Sequence, residues 1–202
     1  VLVISGREGV QGHTVTLWKL LQKYEIPVFL FVNKMDLEGA DRAQILEELQ
    51  SSLSAGCLDF EDLEEEQAAM CEEGLLEEYL ETGHISVPSI RNSISNRKIF
   101  PCYFGSALRM SGVEGFLDGI VQFTEEPFYP KQFGARIYKI TRDPQGMRLT
   151  HMKITGGTLS VKETLDLPDA PGVSGEKVNQ IRIYSGGKYQ TVQEAEAGTV
   201  CA

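Results

Sequence analysis

The chain has 202 residues, 42% hydrophobic and 24% charged, with a net charge of −10, a globular composition with room for one large domain or two small ones. No apolar run reaches membrane-spanning length and no secretory signal is present. The four cysteines, Cys57, Cys71, Cys102 and Cys201, lack C-x-x-C or zinc spacing, which sets aside a disulfide framework and a structural metal and fits reduced thiols in the cytoplasm.

The opening run Val1–Ser5, "VLVIS", is continuous and β-branched, as a strand buried on both faces of a parallel sheet would be. "GREGVQGHT" follows, glycine-rich but without the G-x-x-x-x-G-K-[ST] order of a phosphate loop: five residues after Gly6 stands Gln11, and His13 rather than Lys follows Gly12. These glycines read as a strand-to-helix connection. Val15, Leu17, Trp18, Leu20 and Leu21 recur at helical spacing, and "IPVFLFV" supplies a second buried strand.

Charge then becomes uneven. Glu38 to Glu81 holds fifteen acidic residues against the single base Arg42, whereas Thr82 to Ala202 holds fourteen Lys/Arg against eleven Asp/Glu. The acidic runs read as solvated helix faces within an insert spanning about 38–98. Asp41 is the expected cap of a helix through residue 55, a second helix is expected over roughly 63–80, and Ser86 with Pro88 marks the start of a third. "IFPCYF" is a third buried strand. Val113, Phe116, Leu117, Ile120 and Val121 define the expected inner face of a closing helix.

After "EEPFYPKQF" the pattern changes to short alternating runs, "ARIYKIT", "MRLTHMKIT", "TLSVKETLDL", "EKVNQIRIY" and "AGTVCA". Turn clusters at "RDPQG", "TGG", "DAPGVSG" and "YSGG" separate them. Such spacing predicts a small β-barrel. The expected division is an α/β unit over 1–125, a linker over 126–133 and an all-β unit over 134–202.

Chemistry concentrates after the second and third strands. Asn33-Lys34-Met35-Asp36, "NKMD", sits at the carboxyl end of a strand, where open α/β sheets bind nucleotides. Asp36 can accept from guanine N1–H and the 2-amino group, Asn33 can bond the base's Hoogsteen edge and its own loop, and the Lys34 stem can lie along the ring. The plainer alternative is an Asn/Asp turn with a solvated lysine. Gly105-Ser106-Ala107-Leu108 after "IFPCYF" can form the second wall: the N–H near Ala107 would meet guanine O6, Ser106 would complete the pocket and Leu108 would cover the ring.

"NKMD" with "GSAL" resembles the last two nucleotide motifs of GTPases. "REGVQGHTVTLWKLLQKYEIPVFLFVNKMD" resembles the stretch following switch II in translational GTPases, and "FGARIYKITRDPQGMRLTHMKITGGTL" is similar to their second domain. The compact insert and "IFPCYFGSALRMSGVEGFLDGI" resemble tetracycline-resistance ribosomal protection proteins, with elongation factor G next.

This resemblance implies a partial P-loop GTPase-type parallel sheet with flanking helices, followed by a translation-factor-type β-barrel. It implies GTP or GDP as ligand, the ribosome as partner, and Asn33, Lys34, Asp36, Ser106, Ala107 and Leu108 as base-binding residues. Ribosomal RNA would be met by Arg136, Lys139, Arg142, Arg148 and Lys153, whose plainer role is to solubilise the strand faces. His13 stands where the family commonly has Gln, so no role is assigned to it. No phosphate loop or switch I threonine is found. The chain is therefore expected to be a fragment without catalytic residues, to leave magnesium to the intact parent, and to be able to dimerise through a strand edge at Val1 to Ile4.

Overall fold

The three apolar runs of the first 125 residues become strands, and a short fourth joins them in one parallel sheet: β1 (Leu2–Ser5), β2 (Leu30–Asn33), β3 (Cys57–Asp59) and β4 (Phe100–Phe104), in the spatial order β1-β2-β4-β3. The computed structural model describes residues 1–125, 127–165 and 175–202, in two units, Val1–Glu125 and Glu126–Ala202. β2 and β4 pair at the centre, Leu30 opposite Cys102 and Val32 opposite Phe104. All of β4 is buried, as a strand covered on both faces must be.

Alternation along the strands sorts side chains into two layers. Leu30, Val32, Phe100 and Cys102 pack with Trp18 of α1 (Gly12–Lys23) and with Ile45 and Leu49 of α2 (Arg42–Ser52). Trp18 meets Phe100 edge-on at 4.6 Å between centroids. Phe29, Phe31 and Tyr103 face the other layer, built from α3 (Glu65–Ala69), α4 (Glu73–Thr82), α5 (Val87–Ser95) and α6 (Val113–Phe123). The expected caps are present: Asp41 Oδ1 accepts from Gln44 N–H at 2.9 Å, and Ser86 Oγ from Ser89 N–H at 3.4 Å.

Three differences from expectation are caused by tertiary contacts. β3 is an additional edge strand, pairing Cys57 with Phe100 and Asp59 with Cys102. The helix expected over 63–80 is broken, because Glu72 is extended at φ −153° and ψ 137° while its carboxylate accepts from the buried Ser93 hydroxyl of α5. On α6, Phe116 is buried with Val113, Ile120 and Phe123 beside it, whereas Leu117 and Val121 are exposed. Gly119 seats the helix against the Tyr103 hydroxyl, which centres the inner face on residues 116, 119 and 120 and turns 117 and 121 outward.

The second unit contains antiparallel pairs alone among its described residues. β5 (Gly134–Arg142) and β6 (Arg148–Gly156) form a hairpin whose turn is closed by Asp143 Oδ1, which accepts from Gln145 N–H at 3.0 Å and Met147 N–H at 2.9 Å. β6 also pairs with β13 (Val200–Cys201). β7 (Thr158–Ser160) pairs with β12 (Glu194–Glu196), β8 (Thr164–Leu165) with β9 (Glu176–Lys177), and β10 (Ile181–Ser185) with β11 (Lys188–Val192). Ile154, Leu159, Ile181, Ala195 and Cys201 form the core. Within the stretch expected as a linker, Pro130 C=O accepts from Gly157 N–H at 2.8 Å and Phe133 joins that core. The turn expected at 169–175 lies outside the described residues except for its last position.

Gly112 starts α6 at φ 72°, and a Cβ there would strike the Phe104 carbonyl, whereas Gly115 one turn on has open space. Gly112→Ala should therefore lower unfolding stability by about 1–3 kcal/mol, while Gly115→Ala should raise it by about 0.5–1 kcal/mol. Urea titration of both variants checks the pair of signs.

Candidate functional site

Two loops leave the carboxyl ends of the central strands side by side, residues 33–37 after β2 and 105–111 after β4. Backbone bonds bring them into contact: Gly105 N–H donates to Val32 C=O at 2.9 Å, and Met35 N–H to Gly105 C=O at 3.0 Å. The Asn33 side chain completes the junction. Its Oδ1 accepts from the Lys34 N–H at 2.8 Å and from the Ala107 N–H at 2.9 Å. Lys34 takes φ 65°, a left-handed conformation that a non-glycine residue enters at a cost, and the Asn33 bond holds it there.

The second loop is a tight turn. Ser106 N–H donates to Ser111 C=O at 3.0 Å and Ser111 N–H returns to Ser106 C=O at 3.1 Å. Ser106 is buried within it, whereas Leu108 stands 92% exposed.

Asp36 is reached from this turn by two partners. The Ser106 hydroxyl bonds its carboxylate and Arg109 Nε lies 3.0 Å from Oδ2, which together hold the carboxyl below its ordinary value. The structure thus brings Asn33, Lys34, Asp36, Ser106 and Ala107 into one cluster. It differs from expectation at two points: the Ala107 N–H is given to Asn33 Oδ1, and Leu108 projects into solvent. Arg109 was not anticipated, since a single arginine two positions beyond Ala107 belongs to no motif.

The opening glycines lie beside this cluster as a turn. Gly6 N–H donates to Asn33 C=O at 2.7 Å, and a Cβ at Gly6 would collide with Met35 Sδ. Gly9 takes φ 65°, and Val10 N–H donates to Glu48 Oε1 of α2 at 3.0 Å. Among the described residues no group of three or more His, Cys, Asp or Glu side chains could hold a metal ion.

Comparison with known proteins places this arrangement. The family described as Elongation factor Tu GTP binding domain matches residues 1–126. The chain belongs to that family. Among curated relatives, this GTP-binding-domain chain is 26% identical to tetracycline resistance protein TetW of Butyrivibrio fibrisolvens and 23% identical to tetracycline resistance protein TetO of Streptococcus pneumoniae. Each match covers 99% of this chain and 34% of the relative, so the chain spans about a third of their length. A crystal structure of a Thermus thermophilus protein shares the fold with a TM-score of 0.79 at 21% identity, over 98% of this chain and 37% of that one.

The Asp36 site carries a pH signature. Its folded pKa is depressed, so its stabilising contribution is present above the unfolded value of about 3.9 and is lost as pH falls through the folded value. Ser106→Ala and Arg109→Ala should each move the Asp36 pKa up toward the ordinary range. Carboxyl NMR titration reads both shifts.

Proposed function

We propose that this chain is the base-reading half of a GTP-binding domain, with its adjoining β-barrel, from a ribosome-dependent translational GTPase of the tetracycline-resistance ribosomal protection class. In the intact cytoplasmic protein, GTP-driven ribosome binding would dislodge tetracycline. The observation that carries the reading is the joined pair of loops, with Asp36 at the carboxyl edge of β2 bonded by Ser106 and the Ala107 N–H donating to Asn33 Oδ1 beside it. An aspartate so placed matches guanine, which offers N1–H and a 2-amino group. Adenine presents an acceptor at N1 and would leave the carboxylate unpaired, at a cost of about 1–3 kcal/mol. The names of the relatives supply the tetracycline link.

Hydrolysis needs more than base reading. Phosphoryl transfer requires a lysine-bearing loop, magnesium ligands and a positioned water. These 202 residues contain no G-x-x-x-x-G-K-[ST] sequence, and among the described residues no group of three or more His, Cys, Asp or Glu side chains could hold a metal ion, so no step through magnesium is assigned to them. The role of the chain's own groups is to select and orient the base: Asp36 accepts from its edge, Asn33 fixes both loops, and Lys34 flanks the ring.

The barrel would dock on ribosomal RNA. Across the β5–β6 hairpin, Arg136 stands opposite Lys153 and Arg142 opposite Arg148, with Lys139 between them. Like charges opposed across a strand pair are unfavourable by themselves and become favourable against a phosphate backbone. An elongation factor G-like translocation factor is the second reading, favoured by the elongation-factor family match.

The full-length protein tests these readings. Ribosome-stimulated GTP hydrolysis together with rescue of tetracycline-stalled translation is the expected outcome. Hydrolysis without rescue would favour the translocation factor, and neither activity would overturn both. Asp36→Asn in that protein should shift preference from GTP toward xanthosine triphosphate, whose 2-oxo group no longer donates. Unchanged preference would refute the role given to Asp36.

A further inference from the structure

The carboxylate read as the guanine acceptor is already engaged in the absence of nucleotide. Arg109 Nε lies 3.0 Å from Asp36 Oδ2, and the Ser106 hydroxyl bonds the same carboxylate. These partners are held with different firmness. Ser106 is 3% exposed and its backbone is paired on both sides with Ser111. The Arg109 side chain is 71% exposed and rises from the turn between them, so it can leave Asp36 for water at the small cost of an exposed ion pair.

Its chemistry also matches the ligand. Guanine C2 with N1, N2 and N3 is itself a guanidine unit, and the edge formed by N1–H and the 2-amino group offers a carboxylate the same kind of N–H donor that an arginine does. We infer that Arg109 is an internal competitor for the place of guanine on Asp36, its guanidinium occupying the carboxylate in the nucleotide-free site and yielding it when the base binds. This inference rests on the guanine reading of the site. It gives Arg109 a defined effect, a weaker base affinity than the pocket would otherwise have, and it keeps Asp36 paired between ligands. Guanine alone offers the carboxylate replacement donors, whereas adenine would release Arg109 and return nothing.

The test uses the 202-residue chain, with amide NMR at Asp36, Ala107 and Leu108. One probe is guanosine, uncharged so that removing an arginine does not alter long-range attraction, with an affinity in the wild type on the order of millimolar. The other is methylguanidinium. Arg109→Ala should bind guanosine roughly two- to tenfold tighter than the wild type, the range expected for loss of an exposed charge-assisted competitor. It should also take up methylguanidinium at Asp36, in competition with guanosine, where the wild type resists. Equal or weaker guanosine binding by the variant, or equal methylguanidinium binding by both proteins, would overturn the proposal with the guanine reading intact. Methylguanidinium binding by the variant with guanosine binding by neither would instead remove the guanine reading, and the competitor role with it.

Discussion

One carbonyl oxygen, Oδ1 of Asn33, holds the carboxyl edge of the sheet in its working shape. It accepts from Lys34 and from Ala107, residues far apart in the chain, and so makes two loops into one surface. The bond depends on the parallel register of β2 and β4, which brings Gly105 beside Val32 and Met35. It depends also on glycine at 105, where a Cβ would strike the Ser111 carbonyl and open the turn. Without an acceptor at position 33, two N–H groups would need new partners, and the left-handed Lys34 would lose what restrains it.

Charge is anchored at a few positions. Arg42, the single base of the acidic stretch, donates from Nε and Nη2 to Asp59 at 2.5 Å, pairs with Glu61 at 2.9 Å and lies over the Phe104 ring at 4.8 Å. It therefore fastens the start of the insert to the last residue of β4, next to the Ser106–Ser111 turn. Of the remaining carboxylates of the insert, Glu47, Glu66, Glu73, Glu77 and Glu81 lie exposed on helices as expected, whereas Glu48, Glu65 and Glu78 accept from the N–H groups of Val10, Ile85 and Ser86. Among the described residues the second unit holds one buried base, Arg182, which pairs with Asp143 at 3.3 Å and with Gln180 at 2.7 Å. Burial pushes the Asp143 carboxyl up, but the N–H groups of Met147 and Gln145 and the Arg182 guanidinium outweigh it and the net shift is down.

Much of this architecture is legible in the residues. Apolar and aromatic runs announce β1, β2 and β4, and Asp41 and Ser86 announce two caps, because in each case the signal is local; β1, expected to be buried on both faces, is instead an edge strand that leaves Val1 and Val3 exposed. What escapes is decided by tertiary contact. Cys57–Asp59 is too short to show a period and becomes a strand by pairing with β4. The break before α4 comes from Ser93, twenty-one residues away, taking the Glu72 carboxylate. β11 and β12 carry mostly exposed side chains, so hydrophobic alternation is weak there. At the site, the residue types are readable from "NKMD" and "GSAL", but the partner of the Ala107 N–H and the arrival of Arg109 at Asp36 arise only when the two loops meet.

The order β1-β2-β4-β3 has a dynamic consequence. Transient opening of a sheet begins where strands have a neighbour on one side only and few buried contacts, which here means β1 and β3. Both loops joined by Asn33 issue instead from the inner pair. Fraying at either margin can thus expose backbone amides to solvent while the Asn33 junction stays closed.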